Sequence, residues 1–189
     1  MFRISVRRGL ASALILVGLA PTAASAHLLY VSNEKDDTIS IVDTDAGTVV
    51  DTMKVGKRPR GLVFSPDHTR LFLCASNSDT VQVFDVATGK HLHDLPSGQD
   101  PELFALSPDG RTLVVSNEND AIATIIDVEK RLVTAQVPVG EEPEGVAFTH
   151  DGKSVVVTSE TTNMAHWIDL AAAKGKTRLL FAGVDRYSV

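Results

Sequence analysis

One cysteine, one tryptophan and two tyrosines stand in a chain of 189 residues, and each scarcity excludes something. A lone Cys74 rules out an internal disulfide and a Cys-X-X-Cys-His haem attachment. Aromatic residues make up 5% of the chain, so its core must be built from Val, Ile, Leu and Ala. No Gly-X-Ser-X-Gly, His-Glu-X-X-His or phosphate-cradling glycine loop occurs, and no nucleophile is set beside a base. Helical spacing is absent too: no window of about eleven residues carries an i, i+3, i+4, i+7 apolar stripe free of Val, Ile or Thr crowding. Basic residues are outnumbered 18 to 24, for a net charge of −6, which argues against nucleic acid or an anionic membrane as partner.

What is present begins with a leader. Arg3, Arg7 and Arg8 form a basic start, an apolar stretch runs from Leu10 to Leu19, and Ala24, Ser25 and Ala26 offer small residues for cleavage. Residues 1–26 read as a secretory signal peptide whose apolar run is too short to span a bilayer comfortably. The folded part is then 27–189, expected in the periplasm or secreted, with no membrane association after cleavage. Losing three arginines leaves it more acidic still.

Beyond the leader the chain keeps time. The turn motifs Ser-Pro-Asp-His at 65–68, Ser-Pro-Asp-Gly at 107–110 and Thr-His-Asp-Gly at 149–152 place Asp67, Asp109 and Asp151 42 residues apart. The same step aligns Gly56, Gly98 and Gly140, then Pro59, Pro101 and Pro143, then Asp43, Asp85, Asp127 and Asp169. A period in the low forties with short strands in each unit points to stacked propeller blades. The repeats divide as 27–67, 68–109, 110–151 and 152–189. Within one unit, 102–107, 112–116, 123–127 and 132–139 read as four strands. Asp-Gly closes the first hairpin because glycine accepts positive φ. The Asp67-His68 version lacks that glycine and is expected to be slightly strained or longer. The fold class is therefore all-β: blades of four antiparallel strands, about four repeats, in an open arc or partial propeller.

Leu29-Tyr30-Val31-Ser32-Asn33, a recurring strand ending in Ile/Val-X-Asp, and the Gly-X-X-Pro that follows resemble the YVTN repeat of bacterial β-propellers. These are WD40-like in architecture and similar to the quinoprotein amine dehydrogenase β chain. Within that group the likeness is to exported propellers associated with PQQ-dependent alcohol catabolism, and it covers His27 to about Ala182. The resemblance implies a periplasmic binding or accessory protein. Its partner would be a periplasmic quinoprotein dehydrogenase or a small ligand. PQQ enters only through such a partner, and no cofactor is expected in the chain itself. The resemblance also implies a ring of about seven blades, whereas this chain has under four copies and begins at a second strand. It is either a truncated piece of a larger propeller, or a small ring closed by 185–189 as an inner strand, or one of two copies pairing edge to edge.

Because strand direction alternates, loops entering the first strand of each unit share an end with loops joining its second and third strands. That end carries Lys57, Arg58, Arg60, Asp100, Glu102, Glu141, Glu142 and Glu144, with further acids at Glu34, Asp36, Asp37, Asp79, Glu118, Asp120 and Glu160. It is either a docking or ligand face at the mouth of the axis, or the solvated rim left once everything apolar is buried. Asp43, Asp85, Asp127 and Asp169 recur in every copy, whereas a catalytic group is needed once; they are expected to accept turn N–H groups. No catalytic residue and no metal site is expected. His91 and His93 share a strand face but lack an evident third ligand, Cys74 reads as a buried filler, and Trp167 as packed between blades. The alternatives are a lactonase-like or quinoprotein dehydrogenase subunit-like enzyme with a divalent ion held by axial carboxylates, and a non-functional truncated fragment.

Overall fold

Short strands joined by tight turns build the same sheet repeatedly. The computed structural model describes residues 27–171 and the backbone of Thr177–Phe181; the leader and the segment 185–189 lie outside the described residues. Sheet 1 holds β1 (Leu28–Asn33), β2 (Thr38–Asp43) and β3 (Thr48–Lys54). Sheet 2 holds β4 (Pro59–Phe64), β5 (Arg70–Ala75), β6 (Thr80–Asp85) and β7 (His91–Pro96). Sheet 3 holds β8 (Pro101–Leu106), β9 (Thr112–Asn117), β10 (Ile122–Asp127) and β11 (Leu132–Pro138). Sheet 4 holds β12 (Pro143–Phe148), β13 (Ser154–Ser159), β14 (Met164–Asp169) and β15 (Thr177–Phe181). Every pair is antiparallel and consecutive in sequence. This is a partial β-propeller: the inner strands β4, β8 and β12 are neighbours, and sheet 1 has no inner strand among the described residues. Among those residues, no helix is long and apolar enough to cross a membrane.

The core lies between sheets. Ile39 meets Leu71, Leu73 and Phe84 across the first joint. Phe72, Cys74, Val81 and Val83 meet Leu113, Val115 and Ile126 across the second. Val114, Ala123 and Ile125 meet Val155, Val157 and Ile168 across the third. Cys74 is fully buried in the second joint, and burial pushes its thiol pKa well up. Trp167 departs from expectation. It alternates with the buried Ile168, so it lies on the face of sheet 4 turned away from sheet 3, only partly buried, rather than between sheets.

Repeated irregularities shape every sheet alike. The pairing of the outer strand with its neighbour slips by one residue in sheets 1 to 3 (β2–β3, β6–β7 and β10–β11), at Ile41/Val42, Val83/Phe84 and Ile125/Ile126, a bulge that increases twist. At the first hairpin of each unit a hydroxyl locks the turn. Ser65, Ser107 and Thr149 Oγ donate to Asp67, Asp109 and Asp151 Oδ1 at 2.5, 2.6 and 2.7 Å. The same carboxylate oxygens accept the N–H of Thr69, Arg111 and Lys153, each at 3.1 Å. Gly110 and Gly152 sit at φ 73° and 68°. The Asp67 turn is no longer than the others, and His68 takes the left-handed φ of 58° in place of glycine. That strain is of order 1 kcal/mol for a residue with a Cβ.

The glycines one period apart leave room for a side chain. Gln82 Oε1 accepts the Gly56 N–H at 2.6 Å, and His166 Nε2 accepts the Gly140 N–H at 2.8 Å. A Cβ on Gly56 would lie 2.6 Å from Ala75 Cβ and 2.9 Å from Gln82 Oε1.

Candidate functional site

A reversal of charge in one repeat creates the site. Positions 58, 100 and 142 are Arg, Asp and Glu, and positions 60, 102 and 144 are Arg, Glu and Glu. Arg58, Asp100 and Glu142 end the loops that lead into β4, β8 and β12, with left-handed φ of 55°, 49° and 51°. Carboxylates from the β1–β2 and β5–β6 loops hold two of them there: Arg58 N–H donates to Asp37 Oδ1 at 2.9 Å and Asp100 N–H to Asp79 Oδ1 at 3.0 Å. Both loop sets thus meet at one end of the sheets.

Arg58 spans three sheets. Its Nε pairs with Glu34 Oε1 at 3.1 Å on the sheet 1 side. On sheet 3, Nη1 pairs with Asp100 Oδ1 at 2.9 Å and Nη2 with Glu102 Oε1 at 3.1 Å. Arg60 Nη1 pairs with Glu34 Oε2 at 3.2 Å, and its Nε touches Glu102 Oε2. Glu102 is 0% exposed, and neither of its oxygens meets hydrogen-bond geometry with these partners. Charge proximity without directed hydrogen bonds repays the lost hydration poorly. Burial therefore dominates: it pushes the Glu102 pKa up to about 7, aided by Glu118 and Asp100, against the pull of Arg60 and Arg58. Glu34 responds oppositely, because the hydrogen bond from Arg58 holds its carboxyl below the ordinary range.

Asp100, Glu102 and Glu118 each bring an oxygen within 4.8 Å of the others. Three carboxylates are a donor set for a hard divalent cation. Arg58 and Arg60 stand against two of the same groups and compete for them. With Glu34, four carboxylates face two guanidiniums, so the cluster carries surplus negative charge, balanced by a proton, a cation or a cationic partner.

Of the residues singled out from sequence, Arg58, Arg60, Asp100 and Glu102 come together. Lys57 lies at the same end, its N–H on Ser78 Oγ at 3.3 Å. Glu141, Glu142 and Glu144 stand outside this network, on the loop into β12 and at its start. Glu142 accepts from Thr161 Oγ1, and the Glu144 carbonyl accepts from Ser116 Oγ at 2.8 Å. Glu144 also borders a depression of about 290 Å³ with Leu103, Gly145, Thr158, Ser159 and Glu160. Leu103 was not singled out, yet it replaces the glycine of positions 61 and 145 and stays 38% exposed at this mouth. Glu34 and Glu118 stand one period either side of Ser76, and this was the signal for them: the unit bearing the arginines lacks its own acid at that position.

The recurrent aspartates lie at the opposite end. Asp43 Oδ1 accepts the N–H groups of Asp45 and Ala46 at 2.9 Å. Asp85 accepts from Thr88 N–H at 2.9 Å, Asp127 from Lys130 N–H at 2.9 Å, and Asp169 from Ala171 N–H at 2.9 Å. On the outer strand β7, His91 Nε2 lies 2.7 Å from Asp94 Oδ1.

Comparison with known proteins follows the fold. Residues 6–118 match the family model for the YNCE-like beta-propeller. No curated protein matches the chain. Among solved structures, a chain of Kuenenia stuttgartiensis hydrazine synthase is similar, with a TM-score of 0.72 and 23% identity. The match covers 82% of this chain and 46% of that one, so the chain spans about half of its structural relative. At that identity the likeness is one of fold.

Proposed function

The chain belongs to the YNCE-like β-propeller family, and from that premise we propose that it is a non-catalytic binding module docking a partner on the axial loop end. The observation that carries this reading is the Arg58–Arg60 network: a fixed scaffold across three sheets that leaves acid in excess. The complementary surface is cationic. The finer assignment is an exported accessory of PQQ-dependent alcohol catabolism, with a periplasmic quinoprotein dehydrogenase as the protein docked. It rests on the repeat motifs and the leader. Calorimetric titration of the full chain with a purified PQQ-dependent alcohol dehydrogenase tests it. Binding is expected at low salt, weakened by added salt and by the double charge reversal Glu142→Lys, Glu144→Lys. No heat of binding at low salt would refute the pairing.

A second reading has its own observation, the Asp100, Glu102 and Glu118 trio. A lactonase-like propeller would place a divalent ion there, as a Lewis acid. Calcium titration followed by melting temperature separates the two, since an ion bound only by the folded chain stabilises it in proportion to ln(1 + [Ca]/Kd). Saturable stabilisation with lactone hydrolysis supports the enzyme; an unmoved melting temperature supports the docking module.

A further inference from the structure

The loops that lead into β4, β8 and β12 recur one period apart but are not tied down alike. In the first two, carboxylates hold the backbone. Asp37 takes the Arg58 N–H, Asp79 takes the Asp100 N–H, and Asp120 Oδ2 takes the Gln99 N–H at 2.7 Å. One period on, both kinds of hold are missing. Ala121 stands in the place of Asp37 and Asp79, and Thr162 in the place of Asp120. Among the described residues, Thr162 Oγ1 is buried without a hydrogen-bond partner. The loop into β12 is tied instead by an imidazole: His166 Nε2 accepts the Gly140 N–H at 2.8 Å. The side-chain amide of Gln82 makes the corresponding bond to Gly56 at 2.6 Å. An amide oxygen accepts at any ordinary pH, whereas an imidazole nitrogen accepts only while it is unprotonated.

That bond also sets the tautomer. With Nε2 accepting, the ring proton sits on Nδ1, which has no hydrogen-bond partner among the described residues, and His166 is 4% exposed. The ring is the cross-strand partner of Val157 and lies on the face that Ile168 turns to Ala123 and Val137 of sheet 3. The acids on the elements around it are Glu141 and Glu142 on the loop, Glu160 after β13 and Asp120 beside Ala121. None of them draws the imidazole toward its charged form; burial is the one cause of its lowered pKa. A second proton can go only on Nε2, where it would oppose the Gly140 N–H, donor against donor. We propose that His166 is a pH-sensitive latch: acidification breaks its bond to Gly140 and frees the loop 139–142, with Glu141 and Glu142, while the sheets stay folded. The closed loop binds the proton less well than the open one, so opening is favoured as pH falls below the ordinary imidazole value of 6.5, by at most about tenfold per pH unit. The consequence for docking rests on the binding-module reading above, since the freed loop belongs to the acidic axial end; the latch itself does not.

Amide hydrogen exchange in the full chain, resolved by NMR and corrected for the intrinsic rate, reads the opening from about pH 7.5 to 5.5. At the upper end the imidazole nitrogen shifts are expected to report the Nδ1–H tautomer. Protection of the Gly140 amide is expected to fall several-fold, up to about tenfold, between pH 6.5 and 5.5, while that of Val155 and Val157 in the core holds. His166→Gln copies the Gln82–Gly56 bond and is expected to keep Gly140 protected throughout. Three results would overturn the latch: Gly140 protection that stays level in the wild type, a fall shared in proportion by Val155 and Val157, or an equal fall in the variant. Should the variant not fold, the wild-type tautomer and the contrast between Gly140 and the core amides decide alone. Calorimetric titration with the PQQ-dependent alcohol dehydrogenase at the same two pH values tests the consequence: acid should weaken binding more in the wild type than in His166→Gln, and equal weakening would strip the latch of that role. A chain that docks nothing at either pH refutes the docking reading and leaves the latch to the exchange result.

Discussion

Replacing Glu102 by Gln is expected to remove a fall in stability between pH 4.5 and pH 7. The Glu102 carboxyl has an ordinary value of 4.5 and is pushed up to about 7 in the folded chain by burial. Between those values the folded state keeps a proton that the unfolded state has lost, so stability must decline as pH rises. One pH unit is worth about 1.4 kcal/mol, so the full window costs roughly 3 kcal/mol. Below pH 4.5 both states are protonated and there is no cost; above pH 7 both are ionised and the loss is complete. Gln keeps the shape without the charge, and Arg58 and Arg60 keep Glu34, with Asp100 still beside Arg58. The stability of the variant minus that of the wild type should therefore climb by about 3 kcal/mol across the window, or roughly 6–12 °C in melting temperature for a chain of this size. Urea denaturation at half-unit steps from pH 4.5 to 7.5 reads it, and taking the difference cancels every other titrating group. A difference that stays level would refute the burial argument. A difference that falls with pH would mean that the two arginines hold Glu102 ionised and that their attraction outweighs its desolvation.

Three further outcomes follow from other parts of the fold. Burial pushes His166 below its ordinary value, so the unfolded state binds the extra proton and stability is lost as pH falls below 6.5; His166→Gln, which copies the Gln82–Gly56 bond, should flatten that acid limb in urea titrations. Gly56→Ala should cost about 1–3 kcal/mol through overpacking against Ala75 and Gln82, whereas Gly47→Ala, with open space but φ of 64°, should cost only about 1–2 kcal/mol; paired thermal melts compare them. Phe72→Ala should cost about 3–5 kcal/mol by opening a cavity in the second joint, measured by denaturant unfolding, and a loss under 1 kcal/mol would mean that the joint collapses around it.

Strand placement was legible because each period carries the same burial demand. β5, β9 and β13 begin at Arg70, Thr112 and Ser154, one step of the repeat apart, and β4, β8 and β12 begin at the aligned prolines. The inner strand of sheet 3 starts at Pro101, one residue before the expected Glu102, because a proline can open a strand without a ladder donor. The crowding of charge at one end was legible as well, since alternating strand direction settles which loops share an end. The pairing was not. Arg58 reaches Asp100 one full period away and Glu34 in the preceding unit, and which long side chains cross between sheets depends on backbone geometry such as the left-handed φ at position 58. Nor could spacing reveal that Glu102 is wholly buried, since its register-mates Arg60 and Glu144 are not.

The departures from the period turn out to mark places where a sheet's neighbour changes. A Cβ on Gly110 would lie 3.0 Å from Pro66 Cδ, and one on Gly152 would lie 3.2 Å from Pro108 Cδ. Each turn glycine therefore answers both a left-handed φ and the proline of the preceding unit. At position 68 a histidine meets the same φ demand. Histidine tolerates it, stacking on Phe64 at 5.9 Å. The arginines at 58 and 60 depart from acid where sheet 2 stands between Glu34 and the Asp100–Glu102 pair, so the exception supplies the countercharge its neighbours need. Trp167 departs from Ile and Val on the one sheet whose outward face meets no following sheet among the described residues. In a repeat protein, where identical units pose identical packing problems, a broken position is evidence of a different neighbour.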